Sequence, residues 1–570
     1  MAPQQKPLVV SIDDDGNVTV SEPAPKAPPP PTSADTFNEN LAEREELRYQ
    51  LAAIADDILQ GIEADEASRQ GWIANYTAGL DLLGLRIDQR TASKGQQRNT
   101  TKVRDTTLLE AIVKAQSQAR GQMLPAAGPA KVETAPETGE NTDTLAGDFE
   151  ADFNLALTVG MPEYVPDLDR GLFGFFYSGN MFRYGYQCPF RGRPVVETFP
   201  TEDLIVSEEA TSLDTATRVT MRTPRMSPTM VKRQQFYKLW RNVDLGTPMP
   251  PTTPETMKKQ EIQGVRDMSW RQKDQPYCIY STITDLDLNM YGCPEVGAPE
   301  GMPLPYKVTI EKFSREVLRI ERYWRQGDPT YQRKRRLIHY PMVPGFAFLA
   351  YGFLHLQGNQ TKALTAVIRL LLDALMFANF PGGVIAKDAR KDTNEINPGP
   401  GEWQSIGLPT GMNDISKVIM PFPYKDPSPV AIDLYNLVQQ AAARVGAAAM
   451  LEVGEGRANI PVGTIMAMLE EKSVVMAAVH KRMHEAMGRE LRMLRELFIE
   501  APEGLAKVLP NPRRQWAATQ EFADLNLVPA SDPNIPSQVH RIMLATALAT
   551  LLGMPAAAPL LNAPDILKRI

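Results

Sequence analysis

Apolar residues recur at helical spacing along much of the chain. The first such segment is marked by steps of three and four residues, with acidic residues on its other faces: Leu47, Leu51, Ile54, Ile58 and Ile62. The same spacing predicts a second helix over residues 72–83 and a third over 107–123. The N-terminal region is therefore expected to be helical.

Two further helices are predicted nearer the C-terminus. Residues 428–450 begin with Ser428 and Pro429, which suit an N-cap and a first helical position. Apolar positions from Ile465 to Phe498 predict one uninterrupted helix over 464–499. At about 1.5 Å per residue it would extend on the order of 50 Å, which is long for a globular domain.

Residues 360–380 are apolar almost all round and carry three charges, Lys362, Arg369 and Asp373. About 20 residues suffice to span a membrane. In that case Arg369 and Asp373 would lie within the bilayer, which is costly. The pattern therefore favours a helix that protein surrounds on all sides, including neighbouring subunits.

Strand patterns concentrate in two stretches. Residues 149–225 combine clustered aromatic residues with the strand-like PVVETF and DLIVSEE, which predicts mixed α/β structure. Within 276–345, the segments YKVTIEKF and EVLRIERYW flank Ser314 and Arg315, the pattern of a β-hairpin. The chain is therefore expected to be α+β and mainly helical.

Three regions depart from these patterns. Residues 1–36 pass from an acidic patch at 13–15 into a proline run at 28–31, and are predicted to be a disordered arm. Residues 124–147 are of low complexity and are predicted to be a mobile loop. Residues 508–570 are rich in Ala and Leu and are predicted to be helical, with breaks at prolines.

Composition narrows the class of protein. The 570 residues correspond to about three to five packing units of roughly 100–200 residues. With 61 Lys plus Arg against 68 Asp plus Glu, the net charge of −7 excludes a polycation that coats nucleic acid. Cys188, Cys278 and Cys293 form an odd set that fits a reducing compartment. No secretory signal is expected from the first residues.

No catalytic signature is present, since the sequence contains no GxxxxGK[ST] loop, GxSxG elbow or CxxC pair. His480 and His484 stand four residues apart, so they would share a helix face as metal-binding pairs do. Position 481 is Lys, where a zinc-protease helix has Glu. We interpret the pair as polar-face or interface histidines, and expect no enzyme activity, metal or cofactor.

The densest basic cluster consists of Arg333, Lys334, Arg335 and Arg336. It suits contacts with phosphate groups. It suits equally well a solvated loop that binds an acidic partner, and the sequence alone does not decide between the two.

Over roughly residues 37–500 the chain resembles the portal, or head-to-tail connector, proteins of tailed bacteriophages. The resemblance rests on stretches in their order along the chain: ADEASRQGWIANYTAGLDLLG, TLLEAIVKAQSQARGQMLPAAGPA, GLFGFFYSGNMFRYGY, PTEDLIVSEEAT, YKVTIEKFSREVLRIERYW, HYPMVPGFAFLAYGFLHLQGNQTKALTAVIRLLLDA and NIPVGTIMAMLEEKSVVMAAVHKRMHEAMGRELRMLRELF. None is a catalytic signature. Their order and spacing carry the match.

The resemblance implies a ring-shaped homo-oligomer, a dodecamer, at one capsid vertex of the virion, assembled in the host cytoplasm. Double-stranded DNA would pass through its channel without sequence specificity during packaging and ejection. The implied partners are the major capsid protein, a scaffolding protein, the terminase large subunit and a tail adaptor protein. No membrane is involved.

The resemblance also assigns ranges to the parts of a portal fold. They are a wing (37–225 and 381–450), two stem helices (226–242 and 358–380), a β-rich clip with its flanks (243–357), a channel loop (451–463), a long wing helix (464–499) and a helical crown (500–570). The disordered arm, 1–36, would precede them. These ranges are expectations from the order of elements.

Two sets of residues receive roles from this assignment. In the channel loop, the candidates for weak contacts with DNA are Glu452, Glu455, Arg457 and Asn459. In the clip, the candidates for docking the motor or the adaptor are Arg333, Lys334, Arg335 and Arg336.

Two other functions fit parts of the sequence. One is a cytosolic metal-dependent hydrolase that uses His480 and His484. The other is a monomeric scaffolding or adaptor protein. Stoichiometric metal would favour the first, and a monomeric mass would favour the second.

Overall fold

The computed structural model describes residues 9–12, 18–21, 36–86, 102–125, 128–133, 140–249, 253–264, 274–295, 299, 301–379, 383–385, 419–421, 429–447, 462–509 and 526–531. The fold is mixed α+β, about 52% helical and 20% strand. The predicted α+β class with a helical majority is therefore confirmed.

Within these ranges the helices are α1 (Leu51–Ser68), α2 (Gln70–Leu82), α3 (Thr107–Met123), α4 (Glu140–Leu155), α5 (Tyr164–Ser178), α6 (Pro228–Phe236), α7 (Pro254–Gln263), α8 (Phe353–Asn379), α9 (Pro429–Ala447), α10 (Val462–Glu500) and α11 (Pro502–Val508). The strands are β1 (Val9–Ile12), β2 (Val18–Ser21), β3 (Ala130–Glu133), β4 (Asn180–Cys188), β5 (Arg193–Phe199), β6 (Leu204–Val206), β7 (Arg218–Met226), β8 (Tyr277–Leu286), β9 (Leu304–Glu311), β10 (Val317–Arg322), β11 (Leu337–Pro341), β12 (Gly383–Ile385), β13 (Ile419–Pro421) and β14 (Asn526–Pro529).

The chain divides into two compact units. The first contains residues 1–69, 203–252 and 267–334. The second contains residues 70–202, 253–266 and 335–570. Each unit is thus assembled from segments that are far apart in sequence.

The first unit is built on a five-stranded antiparallel sheet in the order β10-β9-β8-β7-β6. Its core joins Ile54 and Ile58 of α1 to Tyr280, Val308 and Ile310 of the sheet, all of them buried. The helical pattern near the N-terminus and the strand patterns after residue 276 therefore meet in one apolar core.

The β-hairpin predicted around Ser314 and Arg315 is confirmed. β9 and β10 pair antiparallel, and Arg315 takes a left-handed φ of 56° in the turn. The Glu311 carboxylate accepts backbone N–H bonds from Phe313 at 2.8 Å and from Ser314 at 2.5 Å. These two bonds satisfy amide groups that the turn leaves outside the strand ladder.

Asn40 covers the edge of β10. Its Nδ2 donates to the carbonyl of Leu318 at 3.1 Å, and its Oδ1 accepts from the amide of Ile320 at 3.0 Å. The side chain supplies two bonds that a neighbouring strand would otherwise make, so the segment before α1 protects an edge strand from further pairing.

The second unit contains a three-stranded antiparallel sheet in the order β11-β4-β5. α5 and α10 pack against it. Phe175 and Phe176 of α5 and Met487, Leu491 and Leu494 of α10 are fully buried in one large cluster. The C-terminal half of the long helix therefore belongs to the core of this unit.

The prediction of a mobile loop over 124–147 is wrong for its described part. β3 pairs antiparallel with β14, and α4 begins at Glu140. Ala130 and Val132 of β3 are buried, and the Asn154 side chain bonds both backbone groups of Ala130, at 2.9 and 2.8 Å. Because the pairing partner lies near the other end of the chain, local composition gives no sign of it.

Two terminal predictions also fail in their described parts. β1 and β2 form an antiparallel hairpin within the predicted disordered arm. The prediction of disorder rests on the proline content of residues 1–36. It gives too little weight to the alternating valines of VTVS, which favour a strand. At the other end, β14 replaces helix over 526–529. The remainder of 1–35 and most of 508–570 lie outside the described residues.

The helix predicted over 226–242 is shorter in the structure. α6 covers Pro228–Phe236, after which Lys238 takes a left-handed φ of 55° and the amide of Leu239 bonds back to Gln234 at 3.0 Å. This helix end directs Trp240, which is 8% exposed, into a small apolar cluster. The predicted boundary at 225/226 coincides with the last residues of β7.

Candidate functional site

The three long helices predicted for the C-terminal half are confirmed, with shifted ends. The helix expected at 358–380 begins at Phe353 as α8, and that expected at 428–450 is α9 over Pro429–Ala447. The helix expected at 464–499 is α10, with 39 residues. The first two of these helices pack against each other.

Part of α8 is buried in the second unit. Leu364 is 0% exposed, as are Gln357 and Thr361. The Gln357 Nε2 donates to the carbonyl of Ala442 at 3.1 Å, which joins α8 to α9 within a buried contact. The Thr361 hydroxyl donates to the Gln357 carbonyl at 3.1 Å. The Gln357 amide nitrogen and the Thr361 hydroxyl are therefore used within the chain.

Other parts of the same two helices are uncovered. The exposed large apolar residues are Leu356 (42%), Leu370 (69%), Leu372 (37%) and Leu375 (46%) on α8, and Val430 (71%), Ile432 (50%), Leu434 (50%) and Leu437 (65%) on α9. We call these eight residues the α8–α9 apolar surface. Large exposed apolar patches mark interaction sites on soluble proteins. The sequence predicts that protein surrounds the apolar helix α8 on all sides. The chain by itself leaves the four leucines of α8 named above exposed.

Sequence reasoning identified the apolar character of α8 but not that of α9. In α9, Val430, Leu434 and Leu437 fall on one side of the helix and Ile432 on another. An amphipathic helix that packs on a single core would keep its apolar residues on one side. This distribution of apolar residues around α9 can be seen in the sequence, and it indicates a helix that packs against more than one partner.

A buried charged network fixes α10 to the sheet of the second unit. Arg183 of β4 and Glu490 of α10 are both 0% exposed, with Arg183 Nη2 3.0 Å from Glu490 Oε1. Tyr340 of β11 donates its hydroxyl to Glu490 Oε2 at 2.6 Å. Arg183 Nη1 also donates to Asp167 at 2.9 Å and to Thr198 at 3.0 Å. Such a network stabilises one arrangement only when every member is satisfied.

The protonation states support this arrangement. Burial and the nearby Glu490 carboxylate raise the pKa of Tyr340 well above its usual value. The Tyr340 hydroxyl therefore stays protonated and remains a donor at any pH near neutrality. The network therefore positions α10 against the sheet.

The histidine pair lies on α10, with His480 buried and His484 half-buried. Among the described residues the His480 Nε2 finds no hydrogen-bond partner, and burial lowers the pKa of His480 to about 4. Among the described residues no group of three or more His, Cys, Asp or Glu is placed to hold a metal ion. The third and fourth ligands that a zinc site needs are thus not supplied near this pair within the described ranges.

The His480 environment predicts a pH-dependent stability. The unfolded state binds a proton below about pH 6.5, while the folded state does so only below about pH 4, so stability falls as the pH drops through that window. We expect wild type to lose about 2 kcal/mol more than His480→Leu between pH 8 and pH 5. Urea unfolding at several pH values measures this difference.

The control for this prediction is Lys481→Leu, an exposed substitution on the same helix. This substitution keeps the buried His480 side chain, to which the predicted pH dependence is assigned. That variant should therefore keep the wild-type dependence. Parallel curves for wild type and His480→Leu would contradict the prediction.

The 333–336 cluster is used largely within the chain. In the first unit, Arg333 makes a two-pronged contact with Asp285, with Nε 3.1 Å from Oδ1 and Nη2 2.7 Å from Oδ2. In the second unit, Arg336 is 6% exposed and pairs with Glu500. The Lys334 ammonium lies 6.0 Å from the ring centre of Phe37. These contacts reduce the charge that the segment offers to a phosphate or an acidic partner, and its docking role stays a prediction.

The four channel-loop candidates fall outside the described residues. Glu452, Glu455, Arg457 and Asn459 lie in the sequence between the end of α9 and the start of α10. Their predicted contacts with DNA stay predictions.

A membrane crossing was the alternative for residues 360–380. Within the described ranges, no helix combines the length and the hydropathy that crossing a membrane requires.

A scan against protein-family models finds no matching family. A search of the curated proteins finds no similar sequence. Function is therefore inferred from the residues and the geometry described above.

Proposed function

We propose that this chain is the subunit of a portal-type ring of a tailed bacteriophage. The ring would lie at one capsid vertex and let double-stranded DNA pass inward during packaging and outward during ejection, without catalysing a reaction. The α8–α9 apolar surface is the observation that carries this proposal. Paired helices with apolar residues on several sides suit a ring in which each copy packs between two neighbours.

In this proposal the stem helices are α8 and α9, in place of 226–242 and 358–380. α6 has only nine residues and belongs to the first unit. α8 and α9 both belong to the second unit and are joined by the buried bond from Gln357 to Ala442. They therefore fit the paired-helix role better than α6 and α8 do.

The reassignment moves the clip and keeps the channel loop. The segment between the stem helices, 380–428, would form the clip in place of 243–357. β8, β9 and β10 of the former clip share one sheet with β6 and β7, which favours assigning the whole sheet to the wing. The channel loop stays as predicted over 451–463, up to the start of α10, which would be the long wing helix.

The charge balance suits a channel for DNA. The chain carries a net charge of −7, so a ring of many copies repels phosphate at long range. Glu452 and Glu455 stand beside Arg457 in the proposed channel loop. Opposed charges there would keep contacts with DNA weak, as translocation without sequence preference requires.

The same proposal retains the partners expected for a portal. The major capsid protein and a scaffolding protein would surround the ring during assembly. The terminase large subunit and then the tail adaptor protein would dock at the clip, which in this proposal no longer contains the docking candidates Arg333, Lys334, Arg335 and Arg336. Neither a membrane nor a cofactor enters this proposal.

The mass and shape of the purified particle test the proposal. Light scattering with negative-stain imaging should find rings of about twelve copies of the 63.2 kDa chain, with an axial hole. Such rings are what lateral packing through α8 and α9 requires. A particle that stays monomeric at high micromolar concentration would contradict the proposal and favour an adaptor protein.

A further inference from the structure

One phenylalanine in the described part of the second unit is almost fully exposed. Phe346 is 99% exposed, and positions 344–347 are all exposed. Residues 342–352 (MVPGFAFLAYG) contain no charged residue. The tip of this loop therefore exposes an aromatic ring to solvent. The loop has no charged side chain that would favour its exposure.

The base of the loop is firmly held. Val343 and Tyr351 form an isolated antiparallel bridge, with the Tyr351 amide donating to Val343 at 2.8 Å. Asn180 Oδ1 accepts from the Ala350 amide at 2.9 Å, and Asn180 Nδ2 donates to the Ala350 carbonyl at 3.0 Å. These bonds connect the loop to β4.

Phe348, two residues after Phe346, points inward instead. Its ring lies 5.8 Å from that of Phe182 at an interplanar angle of 10°, and 4.8 Å from the ring of His339. His339 Nε2 lies 2.9 Å from Asn180 Oδ1, so the imidazole joins the same bonds. Phe348 therefore packs against rings of the fold, whereas Phe346 faces solvent.

The loop is also rigidly joined to α8. The backbone between Tyr351 and α8 passes so close to the end of α5 that a Cβ on Gly352 would lie 2.3 Å from the Gly179 nitrogen. Gly179 itself takes a φ of 90°. The Phe346 side chain and the start of α8 therefore keep a fixed relation, which lowers the entropy lost when the loop binds a partner.

We propose that Phe346 of one copy packs against the α8–α9 apolar surface of the neighbouring copy. This inference rests on the proposed ring function. Because the tip is uncharged and aromatic, an apolar partner surface suits it, and within the described part of the same unit α8 and α9 together expose eight large apolar side chains. A second copy of the chain carries both an exposed Phe346 and an exposed α8–α9 apolar surface, so a contact between copies covers both. Any other partner would need one surface that matches Phe346 and another that matches the α8–α9 apolar surface.

Such a contact is of the head-to-tail type. Each copy gives Phe346 to one neighbour and receives the other neighbour's Phe346 on α8 and α9. Interfaces of this kind close into rings when the rotation between copies allows it. A buried aromatic anchor in the centre of the contact would contribute more than the residues around it.

Phe346→Ser tests the inference. We expect rings to need at least about tenfold more protein to form, because burying a phenylalanine contributes strongly to association. The thermal unfolding of the chain should be unchanged, since the side chain is 99% exposed. Phe236→Ser is the matched control: that ring is 62% exposed, lies in the first unit and should not affect assembly.

A cross-link locates the contact. The three native cysteines are buried, so a pair introduced by Phe346→Cys and Leu437→Cys should form disulfides mainly with each other. Oxidation of assembled rings should then give covalent ladders on a denaturing gel. Phe236→Cys with Leu437→Cys should give none.

The outcomes separate the inference from the proposed function. If Phe346→Ser assembles as wild type does and the cysteine pair gives no ladder, the ring stands and the role of Phe346 is overturned. If wild type forms no ring, both the proposed function and the inference fail. Loss of assembly together with a ladder supports the inference.

Discussion

Glu490→Ala should destabilise the second unit by about 3–5 kcal/mol, the usual effect of removing one partner from a buried ion pair. The substitution leaves the Arg183 guanidinium, 0% exposed, without the carboxylate that lies 3.0 Å away. It also leaves the Tyr340 hydroxyl without its acceptor. The free energy of unfolding measured in urea should show the change.

Two comparisons identify the cause. Glu485→Ala removes an exposed glutamate on the same helix that lies 4.0 Å from Arg489, and should cost less than about 0.5 kcal/mol. The double variant Arg183→Met with Glu490→Leu replaces the pair by apolar groups and should be more stable than Glu490→Ala. If the double variant is the less stable one, the stranded charge is not the reason for the loss.

Leu437→Glu should prevent ring assembly. The side chain is 65% exposed in the single chain, so the substitution should leave the fold intact. If α8 and α9 pack between copies, the new carboxylate would be buried without a partner at every contact in the ring, at a cost of several kcal/mol each. Light scattering should then find monomers at concentrations where wild type forms rings.

Val159→Glu is the control for this prediction. Val159 is 68% exposed and lies in the same unit, but outside α8 and α9. It should assemble normally. If Leu437→Glu forms rings as readily as the control does, α8 and α9 are not the surface between copies.

Local patterns predicted the long elements well. The hairpin at Ser314 and Arg315, the helix over 107–123 and the three long C-terminal helices all form where the periodicity predicts them. Their ends agree to within a few residues, except that α8 begins seven residues before the predicted 360. Each of these elements has a strong repeat of apolar positions over many residues, so that a single local signal outweighs its competitors.

Errors arose where a segment depends on a distant partner. The residues of β3 are predicted to lie in a loop because no local feature near residue 130 indicates the pairing of β3 with β14. The helix predicted over 226–242 is longer than α6. The helix ends early because the left-handed turn at Lys238 allows Trp240 to be buried, and that burial is a tertiary contact. The sheet of the first unit combines β6 and β7 with strands more than 50 residues later in the chain, so a division based on order along the sequence separated strands that pair.

For the candidate site, too, some features could be predicted from the sequence and others depend on the tertiary structure. From the sequence we could read that α8 is apolar on all sides and that the net charge is negative, because both follow from residue types and spacing. Which of those apolar residues lie uncovered, that α9 adds to them, and that Phe346 points out while Phe348 points in depend on how distant segments pack. The free energy of each of those choices comes from long-range contacts, so only the tertiary structure decides them.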